Sequence, residues 1–378
     1  MINLILFIAV LFFLAYAILI LYFRVGWMNT SEVKLKKDYN PKTKVSIIIP
    51  ARNEEKNIAA LLRNITAQIY PTHLVQIIVV DDHSTDQTAS IVAQFPQVKC
   101  ISLVDFTQGK ILNAYKKKAI ETGILHSEGE LIITTDADCA MCEFWLLGIV
   151  YYYEQFHPQL IAAPVAFFNH ANWFQTFQSI DFFTMQGVTS ALSYFKSGTM
   201  CNGANLAYTR HAFDAVKGFE GIDDIASGDD MLLMYKIEKT FPRQTTYLKC
   251  KDSIVYTHAM DSIKSFFTQR IRWASKASRF EDQRIKGILA AVFLFNLFLF
   301  FILCASLYSV YYLNLFLLLI IAKASLEMCL LYPVSQFFKK EKELRLFYFL
   351  QLIHIPYILI SAILSQFGTY QWKGRQVK

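Results

Sequence analysis

The sequence predicts an α/β domain, built on a mostly parallel sheet with helices on both faces, together with membrane-spanning helices at both ends of the chain. Two observations support this prediction. Of the 378 residues, 54% are apolar and only 18% are charged, against roughly 25% charged in an average soluble domain. The apolar excess is concentrated in three runs that contain no charged residue, 1–23, 287–322 and 346–372. The block between the first two runs, 24–286, is large enough to form its own core.

The first apolar run is long enough to be one membrane-spanning helix. At about 1.5 Å per residue, a helix over 1–23 crosses a hydrocarbon layer of about 30 Å. No Lys or Arg precedes the run and no small-residue cleavage site follows it, which argues against a cleaved signal peptide. Arg24, Lys34, Lys36 and Lys37 follow at once. We therefore expect the block after this helix to lie in the cytoplasm.

The sequence after this block predicts further membrane segments. Basic residues alternate with aromatic ones before them, which predicts an amphipathic interfacial helix. The expected organisation is a catalytic domain over 24–260, the interfacial helix over 261–286, membrane helices over 287–309 and 311–338, a transmembrane or re-entrant segment over 346–367 and a basic tail over 368–378. This predicts a multi-pass protein of the inner (cytoplasmic) membrane whose catalytic domain faces the cytoplasm.

Charge and cysteine usage exclude other classes. Of the net charge of +7, +5 falls in 287–378, so we assign the basicity to the membrane surface and expect no nucleic-acid partner. The seven cysteines show no regular spacing, which predicts free thiols in a reducing compartment. Cys139 and Cys142 form a lone C-x-x-C without a second pair at a zinc spacing, so we expect no zinc site there.

Within 24–260, short β-branched runs alternate with amphipathic stretches of helical length. The runs are VSIIIP (45–50), QIIVVDD (76–82), KCISLV (99–104), ELIITTDAD (130–138) and LIAAPV (160–165). This alternation predicts βαβ units and a parallel sheet that is covered on both faces. In such sheets, ligands bind at the carboxyl ends of the strands.

Acidic residues lie where these strands are predicted to end and again in the later half of the block. They are Asp81–Asp82, Asp136 with Asp138, and Asp229–Asp230. The sequence contains neither G-x-G-x-x-G nor G-x-x-x-x-G-K-[ST], so the two common glycine loops for phosphate are absent. Two carboxylates separated by one residue suit a hard divalent cation, which would neutralise a diphosphate.

The first acidic pair, Asp81–Asp82, could have a structural role instead of binding a ligand. Asp82 or Ser84 could cap the helix that follows, as short polar side chains often do. For Asp81–Asp82 alone this alternative has equal weight. It does not account for three acidic sites in one domain.

Seven short motifs follow one another over about residues 44–275. They are VSIIIPARNEEKNI (45–58), VVDDHSTDQT (79–88), QGK (108–110), TTDADC (134–139), NGANLAYTR (202–210), SGDDMLL (227–233) and QRIRW (269–273). This ordered set, with its D-x-D and Q-x-x-R-W, resembles the membrane-integrated branch of the family 2 glycosyltransferases. The resemblance implies a Rossmann-like GT-A fold and a metal-dependent, inverting transferase of the hexosyltransferase type.

The resemblance also implies a role for individual motif residues. The donor-binding residues would be Pro50, Ala51, Asn53, Glu54, Asp82, Lys110, Asp136 and Arg272. Asp138, with Asp136, would hold a divalent cation, Mn²⁺ or Mg²⁺. Asp230, beside Asp229, would be the catalytic base. Gln269 and Trp273 would close over the diphosphate and the acceptor.

Elementary chemistry supports these roles independently. Inverting transfer needs a base that takes the proton of the acceptor hydroxyl as this hydroxyl attacks the anomeric carbon. A divalent cation and an arginine stabilise the charge that develops on the leaving diphosphate, and Arg272 has the planar fork that suits phosphate oxygens. Trp273 can stack on a sugar or anchor at the lipid headgroups, and both alternatives remain open. His83 and Asp229 depart from the residues most common in the family at these positions.

The sequence thus predicts an enzyme that moves a sugar from a nucleotide-sugar donor, UDP-linked, to a lipid or glycan acceptor, with a membrane lipid at the cytoplasmic face favoured. A processive polysaccharide synthase of the same family is an alternative, although the few, densely apolar spans supply little for a polar conduit. Alternatives of another class are a metal-dependent phosphotransferase and a non-catalytic nucleotide-binding membrane receptor or transport component. Lys323 and Glu327, four residues apart in an apolar run, are close enough for an intramembrane pair.

Overall fold

The computed structural model describes residues 2–107, 112–168, 172–196, 200–274, 283–367, 370–372 and 375–377. The chain divides into two compact units. The sheet unit comprises Thr30–Phe168, Leu192–His258 and Gln371–Lys378, and the helical unit comprises Met1–Asn29, Asn169–Ala191 and Ala259–Tyr370.

The α-helices are α1 (Ile2–Asn29), α2 (Ile58–Thr66), α3 (Thr88–Val92), α4 (Val104–Thr107), α5 (Tyr115–Leu125), α6 (Trp145–Phe156), α7 (Trp173–Tyr194), α8 (Arg210–Ala215), α9 (Met231–Thr240), α10 (Ile263–Ala274), α11 (Gln283–Ala305), α12 (Val310–Phe338) and α13 (Phe347–Phe367). The β-strands are β1 (Val45–Ala51), β2 (Val75–Asp81), β3 (Val98–Ser102), β4 (Leu131–Thr134), β5 (Ala140–Met141), β6 (Leu160–Ala162), β7 (Val165–Phe167), β8 (Leu206–Thr209), β9 (Thr245–Tyr247), β10 (Val255–Thr257), β11 (Tyr370–Trp372) and β12 (Arg375–Val377). Short 3-10 helices cover Thr72–Leu74, Gly203–Asn205, Lys251–Ser253 and Glu341–Leu346.

The main sheet has seven strands in the order β3-β2-β1-β4-β8-β6-β9. β1 pairs in parallel with β2 and β4, β2 pairs in parallel with β3, and β6 pairs in parallel with β9. Only β8 runs against its neighbours, β4 and β6. The predicted α/β class with a mostly parallel sheet is therefore confirmed, and the first four predicted β-branched runs all lie in this sheet as β1 to β4.

Burial on both faces explains why these runs form central strands. Ile47, Ile48 and Ile49 of β1 are all fully buried, as are Ile132 and Ile133 of β4. Consecutive β-branched residues that are buried on both sides are typical of a parallel sheet between two helical layers. One hydrophobic cluster of the core lies where residues from α5, α8 and α9 pack against the strands of this sheet.

A second sheet of three strands, in the order β5-β10-β7, adjoins the D-x-D segment in sequence. β10 pairs antiparallel with β5 and parallel with β7. β5 begins two residues after Asp138, so this small sheet extends the chain directly from the D-x-D.

The ends of the central strands lie at one edge of the main sheet. Ala51 at the end of β1 is in register with Asp81 at the end of β2, and Thr134 at the end of β4 pairs with β1 at Ile48. Because β8 is antiparallel, its first residue, Leu206, pairs with Thr134 at the same edge. The turn that precedes β8 therefore joins the acidic strand ends.

The helical unit contains four helices that are long and apolar enough to cross a membrane. These candidate spans are Ile2–Asn29, Gln283–Ala305, Val310–Phe338 and Glu341–Leu364. The first continues past Arg24, and the last is helical through Pro356. The predicted basic tail is described only at 370–372 and 375–377, where β11 and β12 pair with each other.

Close backbone contact and a buried polar cluster join helices of this unit. A Cβ on Gly26 would lie 2.6 Å from the Cα of Ala191, so only glycine permits this approach of two helices. Lys323 Nζ lies 2.8 Å from Glu327 Oε1, which confirms that the two side chains form an ion pair. Gln351 accepts from Lys323 Nζ at 2.6 Å and donates to Glu327 Oε2 at 2.6 Å, and the Tyr16 hydroxyl also donates to Glu327.

Candidate active site

The loop after β1 is hydrogen-bonded to the loop after β2. Asn53 N donates to Ser84 Oγ at 3.0 Å, and the Asn53 side-chain oxygen accepts from Thr85 N at 2.9 Å. Glu54 N donates to Thr88 Oγ1 at 2.8 Å. Asn53 adopts a left-handed φ of 52°, a conformation that asparagine tolerates better than most residues. The predicted donor residues Asn53 and Glu54 thus lie on a tightly braced loop at the acidic edge.

Asp82 lies at the base of these two loops and is only 2% exposed. Its backbone N donates to Ala51 O at 2.7 Å, and its Oδ1 is 2.9 Å from His83 Nδ1. Arg52 Nη1 donates to the backbone oxygens of Asp82 and His83 at 2.8 and 3.1 Å. The Asp82 backbone N–H, the Asp82 Oδ1 atom and the Arg52 Nη1 atom therefore each have a defined partner in this loop.

The alternative that Asp82 or Ser84 caps the next helix is wrong. α3 begins at Thr88, and Asp86 Oδ1 accepts from both the backbone N and the hydroxyl of Thr88, at 3.0 and 2.5 Å. Ser84 instead accepts from Asn53 N. Asp86, and not Asp82 or Ser84, thus accepts the hydrogen bond from the backbone N–H of the first residue of α3.

The two D-x-D carboxylates follow β4 and have different partners. Asp136 Oδ1 lies 2.8 Å from Lys116 Nζ, and the Asp136 side chain is 35% exposed. Asp138 Oδ2 accepts from Thr257 Oγ1 of β10 at 3.4 Å, a long hydrogen bond. Both carboxylates are partly exposed, which leaves room for a ligand at this edge.

Asp229 and Asp230 lie at the same edge of the main sheet. Asp229 Oδ2 lies 3.0 Å from Lys116 Nζ. Asp230 is the N-cap of α9: one carboxylate oxygen accepts from Met231 N at 2.7 Å and the other from Gly203 N at 3.3 Å. Gly203 belongs to the turn before β8, so the antiparallel strand brings the two acidic motifs together.

Lys116 is the centre of this site, and the sequence reasoning did not identify it. Burial by itself would lower the pKa of its ammonium group, but the charges of Asp136, Asp229 and Asp230 raise that pKa well above the usual range. Lys116 therefore remains a cation at physiological pH. Its only signal in the sequence was its place in a run of three lysines, 116–118, on a helix that packs on the sheet.

Residues 46–216 match the family model described as glycosyl transferase family 2. This part of the chain is thus similar to the family 2 glycosyltransferases. The chain is 27% identical over 257 residues to a probable glycosyltransferase, YdaM, of Bacillus subtilis, which covers 64% of this chain and 57% of the relative. It is 40% identical over 101 residues to 4,4'-diaponeurosporenoate glycosyltransferase of Staphylococcus aureus, which covers 27% of this chain and 25% of the relative.

The fold of this chain is GT-A-like. A mannosyltransferase from Pyrobaculum calidifontis, PcManGT, solved in complex with GDP-Man and Mn²⁺, superposes with a TM-score of 0.60 at 19% identity. The match covers 97% of this chain and 99% of that chain. At this identity the similarity shows the fold alone. The chain spans little more than half the length of the Bacillus relative.

The donor set suits a divalent cation that is held jointly with a diphosphate. Among the residues that the structure describes, no three His, Cys, Asp or Glu side chains form a group that could enclose a metal. Mg²⁺ in nucleotide-dependent enzymes is commonly held by one or two carboxylates together with substrate phosphates. Asp136 and Asp138 meet that smaller requirement.

The cysteines near the D-x-D have other contacts. Burial, followed by the charges of Asp138 and Asp136, raises the pKa of the Cys139 thiol well above its usual range. Cys142 Sγ donates to Asp252 O at 2.9 Å. Because a metal binds the thiolate rather than the thiol, Cys139 is a poor ligand in this environment.

The Q-x-x-R-W residues lie on α10 in the helical unit. Gln269, Arg272 and Trp273 are all partly exposed. Between them in sequence, Arg270 is 4% exposed and its guanidinium carbon lies 4.4 Å from the centre of the Trp273 ring. Asp181 Oδ2 lies 2.9 Å from Arg270 Nη2. Arg270 and Asp181 thus support Trp273, a role that the motif pattern did not indicate.

Several residue roles stay predictions. Lys110, predicted to approach the nucleotide, lies outside the described residues. Ala51 is buried at the end of β1, and Pro50 beside it is partly exposed. The described geometry brings together Asp136, Asp229 and Asp230, and it places Asn53, Glu54 and Asp82 on braced loops after β1 and β2.

Proposed function

We propose that this protein is an inverting, metal-dependent glycosyltransferase of the cytoplasmic membrane, which moves a sugar from a UDP-linked donor to a membrane lipid. The observation that supports this best is the meeting of the D-x-D with the second acidic pair. Lys116 bridges Asp136 and Asp229 with distances of 2.8 and 3.0 Å. A site that only binds a nucleotide has no need of a second carboxylate pair beside its D-x-D.

Each carboxylate then has a distinct task. Asp82 and the loop with Asn53 and Glu54 bind the nucleoside, and Asp136 and Asp138 face the diphosphate. Asp230 takes the proton from the acceptor hydroxyl as the hydroxyl oxygen attacks the anomeric carbon from the side opposite to the leaving diphosphate. A divalent cation, when bound at Asp136 and Asp138, supplies positive charge for the leaving group.

Asp230 is well placed to be a fixed base. It begins α9, and its hydrogen bonds from Met231 N and Gly203 N hold the carboxylate in one orientation. A carboxylate that is held by backbone donors needs little rearrangement before proton transfer, which favours catalysis by preorganisation.

The membrane helices support a lipid acceptor. Four helices are long and apolar enough to span a membrane, and one relative is named for the glycosylation of diaponeurosporenoate. Gln269, Arg272 and Trp273 close over the diphosphate and the acceptor in this proposal. Arg272 provides the planar fork that suits phosphate oxygens.

The proposal is tested with purified full-length protein in detergent or nanodiscs. UDP-Glc, UDP-GlcNAc and GDP-Man are each incubated with Mn²⁺ or Mg²⁺, with and without lipid extracted from native membranes, and released nucleoside diphosphate is measured. We expect release from a UDP-sugar that depends on lipid and metal, together with an organic-extractable glycolipid. Nucleotide binding without release would support a receptor, and a long water-soluble polymer would support a processive synthase.

The proposed orientation has its own test. Cys100 and Cys142 in the sheet unit are exposed and free. If this unit faces the cytoplasm, a membrane-impermeant maleimide should label both cysteines in permeabilised cells and neither in intact cells, as mapped by mass spectrometry. Labelling of Cys142 in intact cells would overturn the orientation.

A further inference from the structure

The ammonium group of Lys116 contacts one carboxylate of the D-x-D and one of the second acidic pair. It lies 2.8 Å from Asp136 Oδ1 and 3.0 Å from Asp229 Oδ2, and its side chain is 18% exposed. The backbone of Gly203 closes one side of the cluster, since a Cβ there would lie 2.9 Å from Asp229 Oδ2 and 3.4 Å from Lys116 Nζ. The lysine is therefore a built-in part of the site.

In the proposed site, Asp136 would be both a metal ligand and the ion-pair partner of Lys116. A divalent ion on this carboxylate would lie close to the Lys116 ammonium, and like charges at such distances repel strongly where water is partly excluded. The diphosphate of a nucleotide sugar changes this balance. It is an anion that offsets the charge of the metal, and its oxygens also attract the ammonium.

We propose that Lys116 is a positioning residue that makes metal binding depend on the donor. Before the donor arrives, Lys116 holds Asp136 and Asp229 together and disfavours a bare divalent cation at the D-x-D. With a diphosphate present, the metal and Lys116 are accommodated together. This inference rests on the proposed function, because it takes Asp136 and Asp138 as the metal ligands.

The neighbouring lysines of α5 have different partners, which makes one of them a matched control. Lys117 is buried and donates to the backbone oxygens of Ile222 and Ile225 at 2.6 and 2.8 Å. Lys118 is 40% exposed and pairs with Glu121 of its own helix at 2.7 Å. Replacement of Lys118 removes a charge from the same helix without touching the acidic cluster.

The experiment measures Mn²⁺ binding directly, by the loss of the free Mn²⁺ signal in electron paramagnetic resonance. Purified full-length protein is titrated with Mn²⁺ alone, and then with Mn²⁺ in the presence of UDP or GDP. In the parent protein, nucleotide should tighten Mn²⁺ binding at least ~10-fold. Lys116→Met should bind Mn²⁺ alone at least ~10-fold more tightly than the parent and should lose most of the tightening by nucleotide. Lys116→Arg and Lys118→Met should behave like the parent.

The outcomes separate this inference from the proposed function. If Asp138→Ala leaves Mn²⁺ binding with nucleotide unchanged, the proposed metal site is wrong whatever Lys116 does. If Asp138→Ala abolishes that binding but folded Lys116→Met binds Mn²⁺ alone no better than the parent, the role of Lys116 is overturned. Lys116→Gln can still donate to Asp136 and carries the same expectation should Lys116→Met not fold, as judged by thermal unfolding.

Discussion

Each unit of this protein pairs a lysine with carboxylate side chains, but the two lysines differ in exposure. In the helical unit, Lys323 is fully buried and Gln351 links it to Glu327 through both ends of its amide. In the sheet unit, Lys116 and its two carboxylate partners remain 11 to 35% exposed at the edge of the sheet. A closed, satisfied cluster stabilises helix packing, whereas an open cluster with excess carboxylates can exchange partners with a ligand. In this protein, the exposure of a charged cluster therefore distinguishes a structural role from a functional one.

The largest effect is expected at Asp230, next to Asp229 of the open cluster. Asp230→Asn should reduce turnover at least ~100-fold, because the base is lost. Asn and Ser are both good helix N-caps, so Asp230→Asn and Asp230→Ser should keep α9 intact. Nucleoside diphosphate release and nucleotide binding are measured on both variants. Turnover near the parent value in either folded variant would remove Asp230 from the mechanism.

Substitutions in the closed cluster of Lys323, Glu327 and Gln351 should reduce the stability of the protein and leave its turnover unchanged. Lys323→Met leaves Glu327 buried without its cation, which is expected to destabilise the protein by about 3 kcal/mol. The double variant Lys323→Met with Glu327→Gln should recover most of this loss, since no buried charge remains. Thermal unfolding in detergent measures both, with Lys342→Met at an exposed position as the control. Turnover per folded molecule should stay unchanged, and a selective loss of turnover would show that this cluster is functional.

A third prediction concerns the buried guanidinium of Arg270. It forms an ion pair with Asp181 and a cation–π contact with the Trp273 ring. Arg270→Lys weakens the stacked cation–π contact while it keeps the charge, a loss of about 1 kcal/mol. If Trp273 stacks on the acceptor, we expect KM for the acceptor to rise about fivefold with kcat nearly unchanged. Exposed Lys264→Met on the same helix is the control. An unchanged KM would favour the headgroup anchor for Trp273.

The last prediction concerns Lys249, a buried lysine of the sheet unit that donates to Thr30 O at 3.1 Å. Burial lowers its pKa to about 8, although Glu32 acts in the opposite direction. Because the unfolded chain keeps the ordinary higher pKa, it binds more protons between these two values. Stability should therefore rise with pH above 8, by at most about 1.4 kcal/mol per pH unit.

Denaturant unfolding between pH 7.5 and 10, in steps of about half a unit, measures this dependence. Lys249→Gln should flatten the rise, and Lys99→Gln at an exposed position of β3 should leave it in place. The same slope in Lys249→Gln and the parent would contradict the assignment. Lys116 should show no such dependence, since its carboxylate partners raise its pKa instead of lowering it.

The sequence by itself determined the strands of the central sheet and the motif residues at their ends. Runs of four to seven β-branched residues that are buried on both faces are compatible with few structures other than a central strand. β1, β2 and β4 therefore lie where the pattern predicted them. The same local logic explains why the pair of Lys323 and Glu327 could be predicted from a spacing of four within a helix.

Only the tertiary structure decided which charged residues meet. The antiparallel β8 brings Gly203 and Asp230 to the D-x-D edge, and no local pattern marks a strand of four residues as reversed. The selection of Lys116 from three adjacent lysines depends on the rotation of α5 against the sheet, which sends each side chain to a different partner. Long-range packing sets that rotation, and for this reason periodicity alone could not separate the lysine of the site from its neighbours.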